Sequence, residues 1–441
     1  MDYDTVETEI PALGEAKIPS PVQKWKKDSL SRKFIPDTSR VLIDVDVENI
    51  NERVKQGQAL PSFELAGPRS KIYFDPSKLR CALVTCGGLC PGLNGIIRSI
   101  VLELFYGYGA SNIYGIRHGL QGFIPAYQHD IVELQPETVT DVIRKGGSFL
   151  GSSRGPQDIG EVVDCLERMN IGALFMIGGD GTLMAATKIV GEITARGLKI
   201  SVVGIPKTID NDIHLVSRSF GFETAVDVAT QAIRAAHNEA EGYPNGIGLI
   251  KLMGRHSGFI AATATLAQQD VNFVLIPEVD FDLDGPQGLL CAIEKRLELR
   301  KHAVIVVAEG AGQKFFEDKP DEVDESGNIR LKDIGLFLKG AITSYFTAKN
   351  IPISLKFIDP SYIIRSLPAN SNDHVFCNFL GRSAVHAAMA GKTDVLMGHW
   401  NNHFVHIPME ASAGKRKQVD PHGMLWRNVL ESTGQGSLKN E

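Results

Sequence analysis

From Arg80 onward, apolar runs of about four to six residues alternate with segments whose apolar positions recur at helical spacing. The runs CALVTC (81–86), NIYGI (112–116), ALFMIG (173–178), ISVVGI (200–205), IGLIKL (247–252), NFVLIP (272–277), AVIVVAE (303–309) and ISLKFI (353–358) predict strands. Strands so nearly apolar throughout suit a sheet covered on both faces, as parallel sheets are. Between them, Ile96, Ile97, Ile100, Val101, Leu104 and Phe105 predict a helix, as do 223–241 and 335–349. The alternation predicts an α/β protein of two Rossmann-like, doubly wound lobes. Residues 1 to about 75 differ: prolines are scattered, charges cluster and no period is sustained. They read as an extension packed on the surface or partly disordered. The acidic, turn-rich stretch 314–332 reads as an inserted loop.

The 441 residues allow two or three domains at about 150 residues each. At 43% hydrophobic and 22% charged, the chain falls outside the disordered and fibrous classes. With 46 basic against 52 acidic residues and a net charge of −6, a broad nucleic-acid surface is not expected. No run approaches the ~20 apolar residues that span a bilayer. The acidic first residues carry no secretory pattern, so no membrane partner is expected. Six cysteines without a C-x-x-C pair favour a reduced, cytoplasmic setting.

Ligand sites in open α/β sheets lie just beyond the strands' carboxyl ends. After 81–86 comes Gly87-Gly88-Leu89-Cys90-Pro91-Gly92, feeding a helix. After 173–178 comes Gly179-Asp180-Gly181-Thr182, and after 200–205 comes Pro206-Lys207-Thr208-Ile209-Asp210-Asn211-Asp212. Glycines let backbone approach an anion, and a helix start offers unpaired N–H groups. A tight turn explains any one such junction; three together are harder to explain that way. Asp180, Asp210 and Asp212 suit Mg²⁺ binding and proton transfer in phosphoryl transfer. Equally, Asp210, Asn211 and Asp212 suit a turn or helix cap, and the residues alone leave both readings open.

Arg154 stands in the small-residue loop GSSRGP (151–156), suited to presenting a guanidinium to phosphate. That loop also matches G-x-S-x-G around Ser153, but Pro156-Gln157-Asp158 replaces the helix a nucleophile elbow needs. Ala390-Gly391-Lys392-Thr393 imitates a P-loop ending, with His386 where the first glycine belongs. His399, His403 and His406 have no carboxylate at matching spacing to complete a metal site.

GGLCPGLN (87–94), GSSRGPQD (151–158), GGDGT (178–182), PKTIDND (206–212), KLMGRHSGF (251–259) and VAEG (307–310), in that order, resemble the 6-phosphofructokinase family. The resemblance covers roughly Arg80 to Ile407, and the wording is similar to the ATP-dependent subgroup of plants, trypanosomatids and some bacteria. It implies transfer from MgATP to the 1-hydroxyl of fructose 6-phosphate. It implies an ATP-binding lobe at 79–220 completed by about 369–418, a sugar-phosphate lobe at 221–368 completed by about 419–441, and an extension over 1–78. Asp210 matches the catalytic base and Asp180 the Mg²⁺ carboxylate. Gly88, Arg154, Gly155, Gly179, Asp180, Gly181 and Thr182 match ATP contacts, with Arg154 also stabilising the transition state. Thr208, Ile209, Asp210, Met253, Gly254, Arg255 and Glu309 match sugar contacts, and Thr208 counts with the catalytic set. Tyr362, Ile363, Ile364 and Arg365 fall where the family grips the 6-phosphate.

Two departures stand out. Asn245-Gly246 and Lys356 replace two arginines that reach in from a neighbouring subunit in the bacterial type, and Tyr362 replaces its histidine. Pyrophosphate-using relatives carry aspartate after GGD and lysine before TIDND; this chain departs from them at Gly181 but matches them at Lys207, so a pyrophosphate-dependent enzyme is the alternative, with a non-catalytic sugar-phosphate-sensing subunit behind it. The resemblance further implies a homotetramer with active sites near its interfaces.

Overall fold

The structure, a computed structural model, describes residues 7–22, 34–316 and 329–440. It divides into two compact units. Unit 1 takes the chain to Thr208, then Ile213–Gly221 and Ser366–Lys415; unit 2 takes Ile209–Asp212, Phe222–Arg365 and the chain from Arg416. The expected first-lobe segment 209–212 thus belongs to unit 2. Its backbone is tied there: Ser257 Oγ donates to the Asp210 carbonyl (3.2 Å) and the Lys417 N–H to the Asp212 carbonyl (2.7 Å). Most of the predicted inserted loop, residues 317–328, lies outside the described residues.

Unit 1 is built on a nine-stranded sheet in the order 40–42, 62–65, 403–408, 395–400, 201–206, 173–178, 80–85, 112–116, 131–133. Its five central strands, 395–400 to 112–116, are parallel to one another, and each end of this block meets an antiparallel strand. Numbered by chain order those five run 2-1-3-4-5, so the topology reverses between Arg80–Thr85 and Ala173–Gly178. A doubly wound sheet opens its ligand crevice at that reversal. Arg80–Thr85 is buried from Cys81 onward, and Ala173–Gly178 and Ser201–Pro206 are buried throughout, as their apolar runs require. The helix Leu93–Leu102 continues as a π-helical stretch, Glu103–Tyr108, where the periodicity predicts plain helix.

The N-terminal stretch corrects the sequence reading. It is not only an outer extension: Ser62–Leu65 pairs antiparallel with His403–Pro408, and Arg40–Leu42 pairs with it in turn. Phe63 is fully buried in the same core as Val84 and Ile407. Beside it the buried Glu64 carboxylate meets Arg69 Nη2 (2.6 Å), Lys392 Nζ (3.0 Å) and His406 Nδ1 (3.1 Å). Against the pull of burial, the His406 hydrogen bond and the Lys392 charge hold this carboxyl well below its ordinary value of 4.5. A carboxylate so depressed stabilises the fold above the unfolded pKa, and that contribution is lost as pH falls below about 4.5. Glu64→Gln removes the buried carboxylate from Arg69 and Lys392, leaving them only the exposed Asp37, and should cost up to about 3–5 kcal/mol. Urea unfolding at neutral pH measures this, and an unchanged midpoint would contradict the network's role.

Unit 2 carries a four-stranded parallel sheet in the order 273–275, 302–308, 246–252, 354–358. Its core packs Ile247, Leu249, Ile305 and Val307 against Leu289, Ile293, Leu338 and Ile342 from the flanking helices. Ser354–Ile358 is an edge strand, half-buried along its length.

Candidate active site

In unit 1 the predicted phosphate residues gather at the topological reversal. Thr85 Oγ1 donates to the Gly151 carbonyl (2.5 Å), Ser152 Oγ to the Gly87 carbonyl (2.6 Å), and the Gly87 N–H to the Ser153 carbonyl (3.1 Å). These bonds lock the 151–155 loop onto the strand end and leave Arg154 exposed on it, next to half-buried Gly155. Lys207, almost fully buried, donates to the Gly88 carbonyl (2.8 Å), and its own N–H bonds the Gly178 carbonyl (2.9 Å). The two glycine junctions and the Lys207 turn are therefore one hydrogen-bonded assembly.

The helix Asp180–Ala195 starts here at Gly179, with no side-chain cap. Its first N–H groups and the positive end of its dipole suit a phosphate. Asp180 is half-buried and aimed by the Gly414 N–H, which bonds Oδ1 at 2.7 Å. Mg²⁺ in phosphate sites takes one or two carboxylates together with phosphate oxygens and waters. One positioned carboxylate beside an anion cradle fits that demand. Gly181 is exposed, and a Cβ built on it would meet nothing within 4 Å. Thr182 differs from its expectation: its side chain is buried against Gly178, whose Cβ would stand 2.2 Å from Thr182 Oγ1. It packs helix on strand rather than facing a ligand. Thr208 is half-buried, its carbonyl held by Ser219 Oγ (2.7 Å).

In unit 2 the predicted sugar-phosphate residues follow the carboxyl ends of three adjacent strands, 302–308, 246–252 and 354–358. The Glu309 N–H bonds the Leu252 carbonyl (2.9 Å) and the Gly310 N–H the Gly254 carbonyl (3.1 Å), joining VAEG to MGR. Gly254 adopts φ +131°, and a Cβ there would lie 2.5 Å from the Ser257 carbonyl, so only glycine serves. Arg255 donates to the Ile329 carbonyl. Burial pushes the Glu309 carboxyl up, and the charges of Lys251, Arg255 and Arg365 pull it back. Met253 is half-buried beside them in sequence, and the Arg365 guanidinium lies 4.9 Å from the Tyr362 ring centre. Tyr362 and Ile363 are exposed, but Ile364 is fully buried, and so is most of Ile209. Those two isoleucines anchor the backbone in the core and offer no side chain to a ligand. Lys356 stands apart on the edge strand, its Nζ 5.1 Å from the Tyr243 ring centre.

Several residues and pairings escaped the sequence reading, including the partner of Asp212. Lys251 bridges Asp359 (2.8 Å) and Asp333 (2.9 Å); burial opposes its charge, but those two bonds hold its pKa above the ordinary value. Asp212 is buried and pairs with Arg416 (3.1 Å). Burial lowers the Lys417 pKa to about 8, with Asp212 opposing. Glu278 accepts the Gly258 N–H (3.0 Å) and the Val419 N–H (2.8 Å), fixing the turn after MGRHS. Lys251 lay inside the quoted KLMGRHSGF motif, but its partners are distant in sequence.

Glycine-lined anion cradles at the carboxyl edges of parallel sheets define an α/β protein organised to hold phosphate groups. The chain belongs to the phosphofructokinase family, whose profile matches residues 80–388. It is 50% identical to the ATP-dependent 6-phosphofructokinase of Borreliella burgdorferi, covering 99% of both chains. It is 47% identical to the ATP-dependent 6-phosphofructokinase of Amycolatopsis methanolica, over 96% of this chain and 94% of that one. ATP-dependent 6-phosphofructokinase 7 of Arabidopsis thaliana is 46% identical, over 89% and 81%. The fold is similar to that of a pyrophosphate-dependent phosphofructokinase from Marinobacter aquaeolei (TM-score 0.67, 19% identity, 81% of this chain and 92% of that one). It is similar also to phosphofructokinase from Saccharomyces cerevisiae (TM-score 0.63, 20% identity, 81% and 50%).

Proposed function

We propose that this chain transfers the terminal phosphoryl group of MgATP to the 1-hydroxyl of fructose 6-phosphate, giving fructose 1,6-bisphosphate and ADP. The observation that carries the choice of donor is the open space at Gly181, in the first turn of an uncapped helix at the phosphate cradle. A nucleotide needs that room, and a carboxylate there would repel its phosphates.

In this reading Gly88, Gly179 and the first N–H groups of Asp180–Ala195 bind the donor phosphates. Mg²⁺, held by Asp180, supplies charge neutralisation when bound. Asp210 takes the proton of the 1-hydroxyl as that oxygen attacks. Arg154, presented by its locked loop, meets the negative charge that develops on the transferring group. Glu309 accepts from sugar hydroxyls, and Arg255 and Arg365 bring positive charge to the sugar phosphate, with Met253 and Thr208 shaping its position. Phosphorus NMR of the products checks the reaction directly. A new C1 phosphomonoester with stoichiometric ADP supports it, and inorganic phosphate released without sugar phosphorylation contradicts it.

The same reading includes a homotetramer in which Lys356 reaches a neighbouring subunit's 6-phosphate. Its position on an edge strand supports this. A charged hydrogen bond to phosphate is worth about 1.5–3 kcal/mol, so Lys356→Ala should raise KM for fructose 6-phosphate about 10- to 150-fold. Mixed oligomers of Lys356→Ala and Asp210→Asn subunits should then recover activity at low sugar phosphate beyond either variant alone. Verified mixtures that recover nothing would place Lys356 in its own chain's site.

A further inference from the structure

We infer that His237, Glu241 and His302 form a binding site for a transition-metal cation of the Zn²⁺ class, at the amino-terminal edge of the unit 2 sheet. His237 and Glu241 lie four residues apart near the end of the helix Phe222–Glu241, a spacing that puts both on one face. His302 opens the strand His302–Ala308. One ligand atom from each lies within 4.8 Å of the others, and among the described residues no other three His, Cys, Asp or Glu side chains come together in this way. His237 Nε2 is 3.4 Å from Glu241 Oε1. Ligands bonded to tetrahedral zinc at about 2.0–2.2 Å stand roughly 3.3 Å from one another, so that edge needs no movement. Glu241 is exposed, so its carboxylate has room to shift toward His302.

The second observation is the orientation of the two rings. His302 Nδ1 lies 3.2 Å from the Arg300 carbonyl, which can only accept, so this nitrogen carries the proton and Nε2 keeps its lone pair. The Asp270 carboxylate stands 3.5 Å from His237 Nδ1 and is itself held by Gln268 Nε2 (2.6 Å). A carbonyl or carboxylate behind each ligating histidine is the outer shell that metal sites use to fix ring and tautomer. Two imidazoles and one carboxylate leave a fourth position for water. The nitrogen ligands select zinc-class ions over Mg²⁺ and Ca²⁺, which prefer all-oxygen sites. The cluster sits where the strands begin, whereas Arg255, Glu309 and Arg365 follow the strands' ends. It is therefore separate from the sugar-phosphate residues and independent of the proposed function.

The test is calorimetric titration of Zn²⁺ into the full chain after chelator treatment, with excess Mg²⁺ present, beside Co²⁺ titration followed by visible absorption. One ion per chain is expected, with micromolar affinity and the intense Co²⁺ bands of four-coordination. Asp270→Asn should weaken binding about 10- to 100-fold, as loss of an outer partner does, and His302→Gln should weaken it by at least as much. Glu241→Gln alters an exposed side chain and so reports on the site even if a histidine variant misfolds. Absent binding, displacement of Zn²⁺ by Mg²⁺, or an affinity unchanged in both Glu241→Gln and His302→Gln would overturn the assignment.

Discussion

Asp210→Asn should lower kcat by about 10²–10⁴-fold or more, the range general-base catalysis supplies, while both substrates still bind. The substitution is isosteric and leaves the backbone tie in place, since Ser257 bonds the Asp210 carbonyl and not its carboxylate. Folding should therefore survive, and the loss should fall on the chemical step. Steady-state kinetics read it as a collapse of kcat at nearly constant KM, and single-turnover measurement separates chemistry from product release. Near-normal kcat in the variant would assign the base elsewhere.

Gly181→Asp should lower kcat/KM for ATP by about 10²–10³-fold. Like charges about 4 Å apart at an effective dielectric near 20 repel by roughly 4 kcal/mol, and each ~1.4 kcal/mol is a factor of ten. The structure makes this a clean experiment. A Cβ at Gly181 meets no protein atom within 4 Å, and an acidic residue in the first turn of a helix is favoured by the dipole. Melting temperature should hold or rise slightly while ATP use falls. Unchanged kcat/KM for ATP would show that residue 181 lies away from the nucleotide.

The legible parts of the fold were those whose burial is local. Cys81–Thr85, Ala173–Gly178 and Ala303–Ala308 are covered on both faces, so the sequence is continuously apolar there. The hairpin Val395–Trp400 and His403–Pro408 went unread although it carries its own signal. Asn401 and Asn402 both adopt positive φ, the two-residue turn that asparagine tolerates well. Ser62–Leu65 gave no signal, because what holds it is distant: Glu64 meets His406 across 342 residues. The site divides the same way. Gly88 and Asp180 follow predicted strands directly and could be located from them, whereas Arg255 and Glu309 entered only through the family resemblance. The bridge from Lys251 to Asp333 spans 82 residues and exists only once the chain has folded. Ile364 and Thr182 show the converse: they belong to family motifs, yet their side chains are buried in packing.

The choice of phosphoryl donor is the centre of the account, and one comparison tests it. Initial rates of fructose 6-phosphate phosphorylation by the full chain would be measured with MgATP and with magnesium pyrophosphate offered separately. The open Gly181 cradle predicts a kcat/KM for ATP well above that for pyrophosphate. Turnover with pyrophosphate equal to or greater than that with ATP would contradict it.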